Sequence, residues 1–283
     1  MVCVPNHCAP TESTVIKQVG PIALHRYAGT YVHRPHSHPS AEICFVLAGV
    51  LQERVAGKVE EGGPGSIVLK PADVVHANRS GPAGVVLLCA RPAGELVRYV
   101  SDLEIKSWRW LRSDQAARLT FKLAVEVLNE DRFGAVEEAL IALVAESDRS
   151  YRRREYRPSP PWVLRIRDRL HASLHQRSSV IELAESEGLH PSYLTRRFRE
   201  AYGTSISGYL RRLKVLEGAR RLLAGPDTST MIALDLAFAD QSHFCRCFRA
   251  AMHMTPMQYR RLLLPYLAPK QAPAHGAALS YTG

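Results

Sequence analysis

Two stretches fifty residues apart decide the reading of this chain: PSYLTRRFREAYGTSISGYLRR at 191–212 and QSHFCRCFRAAMHMTPMQYRR at 241–261. Ser192 aligns with Ser242, Arg196 with Arg246, Phe198 with Phe248, Arg199 with Arg249, Ala201 with Ala251 and Tyr209 with Tyr259. Upstream, Leu183-Ala184 aligns with Ile232-Ala233 at an offset of 49, so the second copy carries one extra turn residue. Each copy is expected to form a short helix, a turn and a longer helix, which is a helix-turn-helix arrangement. At ~100° per residue the longer helix sorts its side chains by face. Leu194, Phe198 and Ala201 fall on one side of the first copy, and Ser192, Thr195, Arg196 and Arg199 on the other. In the second copy Phe244, Phe248 and Ala251 oppose Ser242, Cys245, Arg246 and Arg249, with Gln241 at the start.

Charge separates the same region from the rest. The chain has 283 residues and a formal net charge of +10. Residues 1–155 hold 19 Lys/Arg against 18 Asp/Glu, whereas 156–283 hold 18 against 9. The positive balance therefore sits with the duplication and calls for a polyanion there. Arginine can make paired hydrogen bonds to guanine in the major groove, and hydroxyls and amides can take bases or phosphates.

Residues 163–264 resemble the DNA-binding domain of AraC-type transcription regulators. The segments carrying the resemblance are LAESEGLHPSYLTRRFREAYGTSISGYLRRLKVLEGARRLL and IALDLAFADQSHFCRCFRAAMHMTPMQYRR. The resemblance implies two helix-turn-helix units, joined by a long helix at 206–223, that enter successive major grooves of duplex DNA. By it Ser192, Thr195 and Arg196 face bases in the first unit, and Gln241, Ser242, Cys245 and Arg246 in the second. Two residues depart from the family pattern. Ala237 and His253 stand where the family has turn glycines, and a non-glycine residue at positive φ costs about 1 kcal/mol. Cys245 and Cys247 flank Arg246; they read as small filler, with oxidative disturbance of docking as the alternative.

From 22 to about 90 the texture changes to short β-branched segments divided by Gly and Pro, such as EICFVLAG and GVVLLCA, which suits a closed sandwich or barrel. Here HRPHSHPSAE (33–42) gathers three imidazoles and a carboxylate. The spacings of His36, His38, Glu42 and Gly49, then Gly65, Pro71, Asp73 and His76, resemble the two motifs of the cupin barrel. That resemblance implies that His36, His38, Glu42 and His76 converge inside the barrel. Such a set suits one divalent transition metal (Zn, Ni, Fe, Mn or Cu) with positions left open, while an organic effector held by hydrogen bonds alone is the alternative. His33 is expected at the rim; Tyr31, Cys44 and Asn78 are further pocket candidates.

The expected architecture is thus a two-domain α+β chain: an N-terminal cupin β-barrel with flanking helices, and an all-α C-terminal domain. An arm at 1–21 precedes the barrel at 22–92. A helical segment at 93–149 contains amphipathic runs at 114–130 and 135–146, read as a dimer seam, with completion of the barrel's core as the alternative. The basic, proline-rich 150–162 is a linker, 163–266 the double helix-turn-helix, and 267–283 a disordered tail. No stretch approaches the ~20 apolar residues of a membrane span, the N-terminus lacks a secretory pattern, and six scattered cysteines without a C-x-x-C pair suit a reducing cytoplasm. The expected function is effector- or metal-responsive DNA binding without enzymatic activity, as a homodimer, with RNA polymerase a plausible partner. A metal-dependent cupin enzyme with an appended helical domain is the competing class. The charge split and the duplication argue against it.

Overall fold

The computed structural model describes residues 13–91, 105, 107–130, 160–176 and 179–267. The expected helix at 135–146, most of the linker and the tail lie outside these residues. Eight strands form one antiparallel system: β1 (Ser13–Val19), β2 (Ile22–Tyr27), β3 (Val32–His36), β4 (Glu42–Val55), β5 (Lys58–Gly62), β6 (Ile67–Lys70), β7 (His76–Ala90) and β8 (Arg109–Leu111). Their order is β1-β2-β7-β4-β6-β8, with β3 also on β7 and β5 also on β4. β1 and β8 extend the sheet beyond 22–92. β1 pairs with β2 at residues expected to be an arm, and β8 pairs with β6 inside a segment expected to be helical.

β4 and β7 are long enough to serve two sets of neighbours because they bend. Their register skips between Val46 and Ala48 and again between Gly49 and Leu51, and such bulges sharpen local twist. Gly49 (φ 76°) and Gly84 (φ 79°) sit at the bend, where a side chain on Gly49 would collide with the Gly84 carbonyl.

Alternation along the strands gives the sheet two buried faces. One carries Cys44, Val46, Val68, Val85, Leu87 and Cys89, with Tyr27, Trp108 and Trp110 against them. The other carries Ile43, Phe45, Leu47, Ile67, Leu69, Val86 and Leu88 and packs on helices. Helix α1 (Asp114–Val125) is capped by Ser113, whose hydroxyl accepts from the Ala116 amide, and it runs on into a π-turn (Glu126–Glu130). Ala116, Phe121, Leu123 and Ala124 of α1 are buried against the sheet. This corrects the expected dimer seam for this helix: its apolar face is used within the chain.

Among the described residues seven helices follow: α2 (Pro161–Ala172), α3 (Val180–Glu185), α4 (Pro191–Tyr202), α5 (Ile206–Ala224), α6 (Ser229–Asp235), α7 (Gln241–Met252) and α8 (Pro256–Leu267). α2 begins inside the expected linker, with Pro161 at its first turn where a missing N–H costs nothing. Val163, Ile166, Leu183, Leu194, Phe198 and Ile206 make a small closed core for α2–α4. Val215, Ala219 and Leu222 of α5, with Ile232, Phe244, Phe248 and Tyr259, instead join the large core that includes α1 and the sheet.

Candidate functional site

The duplication in sequence is a duplication in burial. Leu194 and Phe198 of α4 are fully buried, as are Phe244 and Phe248 of α7. Ser192, Arg196 and Arg199 are exposed, and so are Ser242, Arg246 and Arg249; Thr195 and Cys245 are half-buried at matching positions. Gln241 is exposed at the first turn of α7, its amide oxygen accepting from the Thr230 hydroxyl at 3.0 Å. Thr195 donates to the Pro191 carbonyl (2.9 Å), and Arg196 lies over the Tyr193 ring (5.6 Å). Asp240 caps α7 by accepting from the His243 amide at 2.6 Å, while His190 caps α4. The two helices thus present the same polar, cationic face.

Both departures from the glycine pattern fall where the backbone is left-handed. α4 ends on Gly203 (φ 71°) and α7 on His253 (φ 54°). The turn between α3 and α4 uses Gly188 (φ 64°), and its counterpart is Ala237 (φ 52°). The second copy of the duplication accepts at two places a conformation that glycine adopts freely.

The sheet holds the other site. His36, at the end of β3, pairs with His76, at the start of β7. Ring centroids lie 4.3 Å apart for His36–His76, 4.9 Å for His36–His38 and 5.2 Å for His38–His76. One ring nitrogen from each of the three lies within 4.8 Å of the others. The Nδ1 of His36 contacts the Arg34 carbonyl (2.8 Å) and that of His76 the Val74 carbonyl (3.0 Å). A carbonyl can only accept, so each Nδ1 carries the proton and each Nε2 presents a lone pair. The Nε2 of His76 is buried and has no hydrogen-bond partner. Burial lowers all three imidazoles, His76 to about 4, so they are neutral near pH 7 and free to coordinate.

Glu42 and His33 stand differently from expectation. Residues 37–41 are not strand, so Glu42 opens β4 rather than continuing the strand of His36. Its carboxylate meets Arg91 Nε at 2.9 Å, Lys70 Nζ at 3.5 Å, the Cys44 thiol at 3.2 Å and His38 Nε2 at 3.8 Å. Burial would raise its pKa, but the Lys70 and Arg91 cations, with the Cys44 thiol donating to it, hold it down to about 2. Lys70, 3% exposed, also bridges to the buried Glu53 at 2.8 Å. Glu42 therefore borders the imidazole trio while already paired with two cations. His33 does not stand apart at a rim: its ring lies tilted against that of His36, centroids 3.7 Å apart, and burial, with His36 and His38 beside it, lowers it to about 4. Trp108 closes the far side of His76 at 4.7 Å.

Sequence reasoning missed Lys70, Glu53, Arg91 and Trp108. A lysine ending the apolar run GSIVLK was the one signal available, and its partners depend on strand register. Between the sheet and the helices runs an open cleft of about 2550 Å³, lined in part by Trp110, Arg112, His171, Tyr209 and Arg212.

A family model described as an AraC-like ligand binding domain matches residues 18–155, and one described as a helix-turn-helix domain matches residues 183–262. The chain is 24% identical over 235 residues to YobQ, an uncharacterised HTH-type transcriptional regulator of Bacillus subtilis (strain 168), covering 83% of this chain and 91% of that protein. It is 31% identical over 98 residues to an uncharacterised HTH-type transcriptional regulator of Staphylococcus aureus (strain MSSA476), covering 35% of this chain and 13% of that one. Among solved structures, the C-terminal domain of AraT, a response regulator from Geobacillus stearothermophilus, gives a TM-score of 0.37 at 25% identity over 42% of this chain and 97% of that chain. ToxT from Vibrio cholerae gives 0.37 at 12% identity over 89% and 99%.

Proposed function

Since the chain belongs to the AraC-type transcription regulators, with an AraC-like ligand-binding domain ahead of a helix-turn-helix domain, we propose that it reads duplex DNA with two helix-turn-helix units, and that an effector held in the sheet changes that reading. The units are α3–α4 and α6–α7, joined by α5. The observation that carries this is the repeated face of α4 and α7, exposed at Ser192, Arg196 and Arg199 and again at Ser242, Arg246 and Arg249. Arg196 and Arg246 take base edges. Ser192, Thr195, Gln241, Ser242 and Cys245 contact bases beside them, and Arg199 and Arg249 reach phosphates. Arg196→Ala or Arg246→Ala should each weaken specific DNA by about 1–3 kcal/mol without loss of fold, read by fluorescence anisotropy across a salt series. Unchanged affinity in both variants rules out the two-unit reading. Affinity should also fall steeply with salt, as phosphate contacts release counterions.

In the sensor, His36, His38 and His76 would hold one divalent transition metal: Zn, Ni, Fe, Mn or Cu. The fit rests on neutral imidazoles, on the backbone-fixed tautomers of His36 and His76, and on the orphaned His76 Nε2. Glu42 completes the set as a fourth ligand only by exchanging a cation contact, and otherwise borders it. A bound metal would supply a Lewis-acid position for an oxygen or nitrogen donor of a small-molecule effector. Elemental analysis of protein purified without chelators should show near-stoichiometric metal that His36→Ala/His38→Ala loses. Metal-free wild type with a full effector response would rule out the metal role.

Coupling requires the effector to favour one arrangement of the units over another, and α1, wedged between sheet and α7, is the element placed to carry it. The same reading makes the protein a cytoplasmic homodimer acting with RNA polymerase at a promoter. The dimer seam then falls on parts of 93–149 other than the packed face of α1.

A further inference from the structure

Two buried nucleophiles on the inner face of the sheet have no part in DNA reading or in the imidazole trio. Cys44 of β4 and Cys89 of β7 are direct cross-strand partners, and their sulfurs lie 3.1 Å apart. Directly opposed residues of an antiparallel pair have Cα atoms about 4.5–5.5 Å apart, within the ~4.4–6.8 Å that a disulfide spans. Cys245 and Cys247, two apart on one helix, point ~200° away from each other and have no such geometry. The Cys44 thiol also donates to Glu42 Oε2 at 3.2 Å, an oxygen 3.5 Å from the Lys70 ammonium. Glu42, Cys44 and Cys89 could otherwise be taken for a soft-metal site. The lysine cation beside the carboxylate ligand opposes a metal ion there and leaves the sulfur pair unopposed.

We propose that Cys44 and Cys89 are a dithiol that hydroperoxides convert reversibly to a cross-strand disulfide, making the centre of the sensor sheet a site of oxidative modification. Cys89, 5% exposed, is the sulfur a peroxide reaches first; Cys44 is fully buried. The Cys89 sulfur attacks the terminal oxygen of R–O–OH. An S–O bond forms as the O–O bond breaks, and the thiol proton leaves on ROH. The Cys44 sulfur then displaces hydroxide from the sulfenic sulfur, the S–S bond forms, and water departs with the second thiol proton. Two electrons pass from the two sulfurs to the peroxide, and a dithiol reductant reverses the step. The adjacent partner closes the sulfenic acid before it can go on to the sulfinic stage. The inference is independent of any metal at the imidazoles.

The test uses the full chain, reduced, desalted and exposed to hydrogen peroxide, then denatured in N-ethylmaleimide and mapped by peptide mass spectrometry. Oxidation should remove the labels from Cys44 and Cys89 together and yield their cross-linked peptides. The oxidised chain should be two hydrogens lighter, and dithiothreitol should restore both labels. In Cys44→Ala, Cys89 should be oxidised without any cross-link; should that variant fail to fold, the wild-type map alone decides. Full labelling of both thiols under peroxide that oxidises Cys245 would overturn the proposal. So would a cross-link from Cys89 to any other cysteine, or protection before oxidation that a chelator removes.

Discussion

The two copies of the duplicated helix pair, α3–α4 and α6–α7, carry the same face outward but stand on different foundations. The first closes over its own small core around Leu194 and Phe198, with α2 as its lid. The second has no core of its own: Phe244 and Phe248 belong to the cluster that continues through α1 into the sheet. Tyr209 and Tyr259, equivalent in the duplication, show how this comes about. The Tyr209 hydroxyl meets His171 at 3.1 Å near the surface. Tyr259 is fully buried and donates to the carbonyl of Leu47 at 2.9 Å. Leu47 is the residue passed over where β4 and β7 slip register, so a helix of the C-terminal region satisfies an acceptor that the bulge withholds from β7. One residue type at one repeat position closes a copy upon itself in one case and fastens it to the sheet in the other.

The largest effects should come from the matched core phenylalanines. Phe198→Ala and Phe248→Ala should each cost about 3–5 kcal/mol, but hydrogen exchange should distinguish them. Phe198→Ala should raise exchange in α2–α4 alone, whereas Phe248→Ala should raise it in β4, β6 and α1 as well. Equal, local responses would erase the contrast.

Acid offers the next test. Burial lowers His33 and His76 to about 4, below the ordinary value near 6.5, so the fold favours their neutral forms. Their contribution to stability is complete above the unfolded value, and it is lost as pH falls from about 6.5 towards 4, where the unfolded chain binds more protons. In metal-free protein, unfolding from pH 7 to pH 4 should therefore weaken the sheet and the second unit together, and in His76→Gln less so. A pH-independent midpoint over that interval would contradict the burial of these rings.

Tyr259→Phe should cost about 1–3 kcal/mol by leaving the Leu47 carbonyl unsatisfied, against within about 0.5 kcal/mol for Tyr209→Phe. Smallest are the turn residues. Ala237→Gly and His253→Gly should each stabilise by about 0.5–1 kcal/mol, because the 3.7 Å contact of His253 with the exposed Asp114 contributes little. Denaturant midpoints decide both, and a loss of stability in His253→Gly would mean that its side chain matters to α1.

What could be read in the sequence was what repeats locally. Helical period and the fifty-residue offset placed α4 and α7 and sorted their faces, and the family resemblance pointed to the turn positions at Ala237 and His253. The strands of β4 and β7 were legible one at a time, but their register was not, because pairing joins residues far apart in the chain. Cys44 opposite Cys89, and Glu42 between Lys70 and Arg91, are facts of register. So is the separation of Glu42 from His36, which depends on a strand break in SHPSA that alternation alone does not show. α1 was visible as an amphipathic helix, yet its period could not say whether a partner chain or its own sheet would cover Phe121. β8, three residues long, is too short for any period.

The shared core has a consequence for how the molecule can be divided. A cut near residue 160 respects the order of the two family segments, but it tears through Phe121 against Tyr259 (5.9 Å) and the bond from Tyr259 to Leu47. The seam along the chain and the seam through the solid do not coincide. The first copy keeps a core apart from the sheet's, though it shares α5 with the second, while the sheet and the second copy are to be expressed and altered as one body.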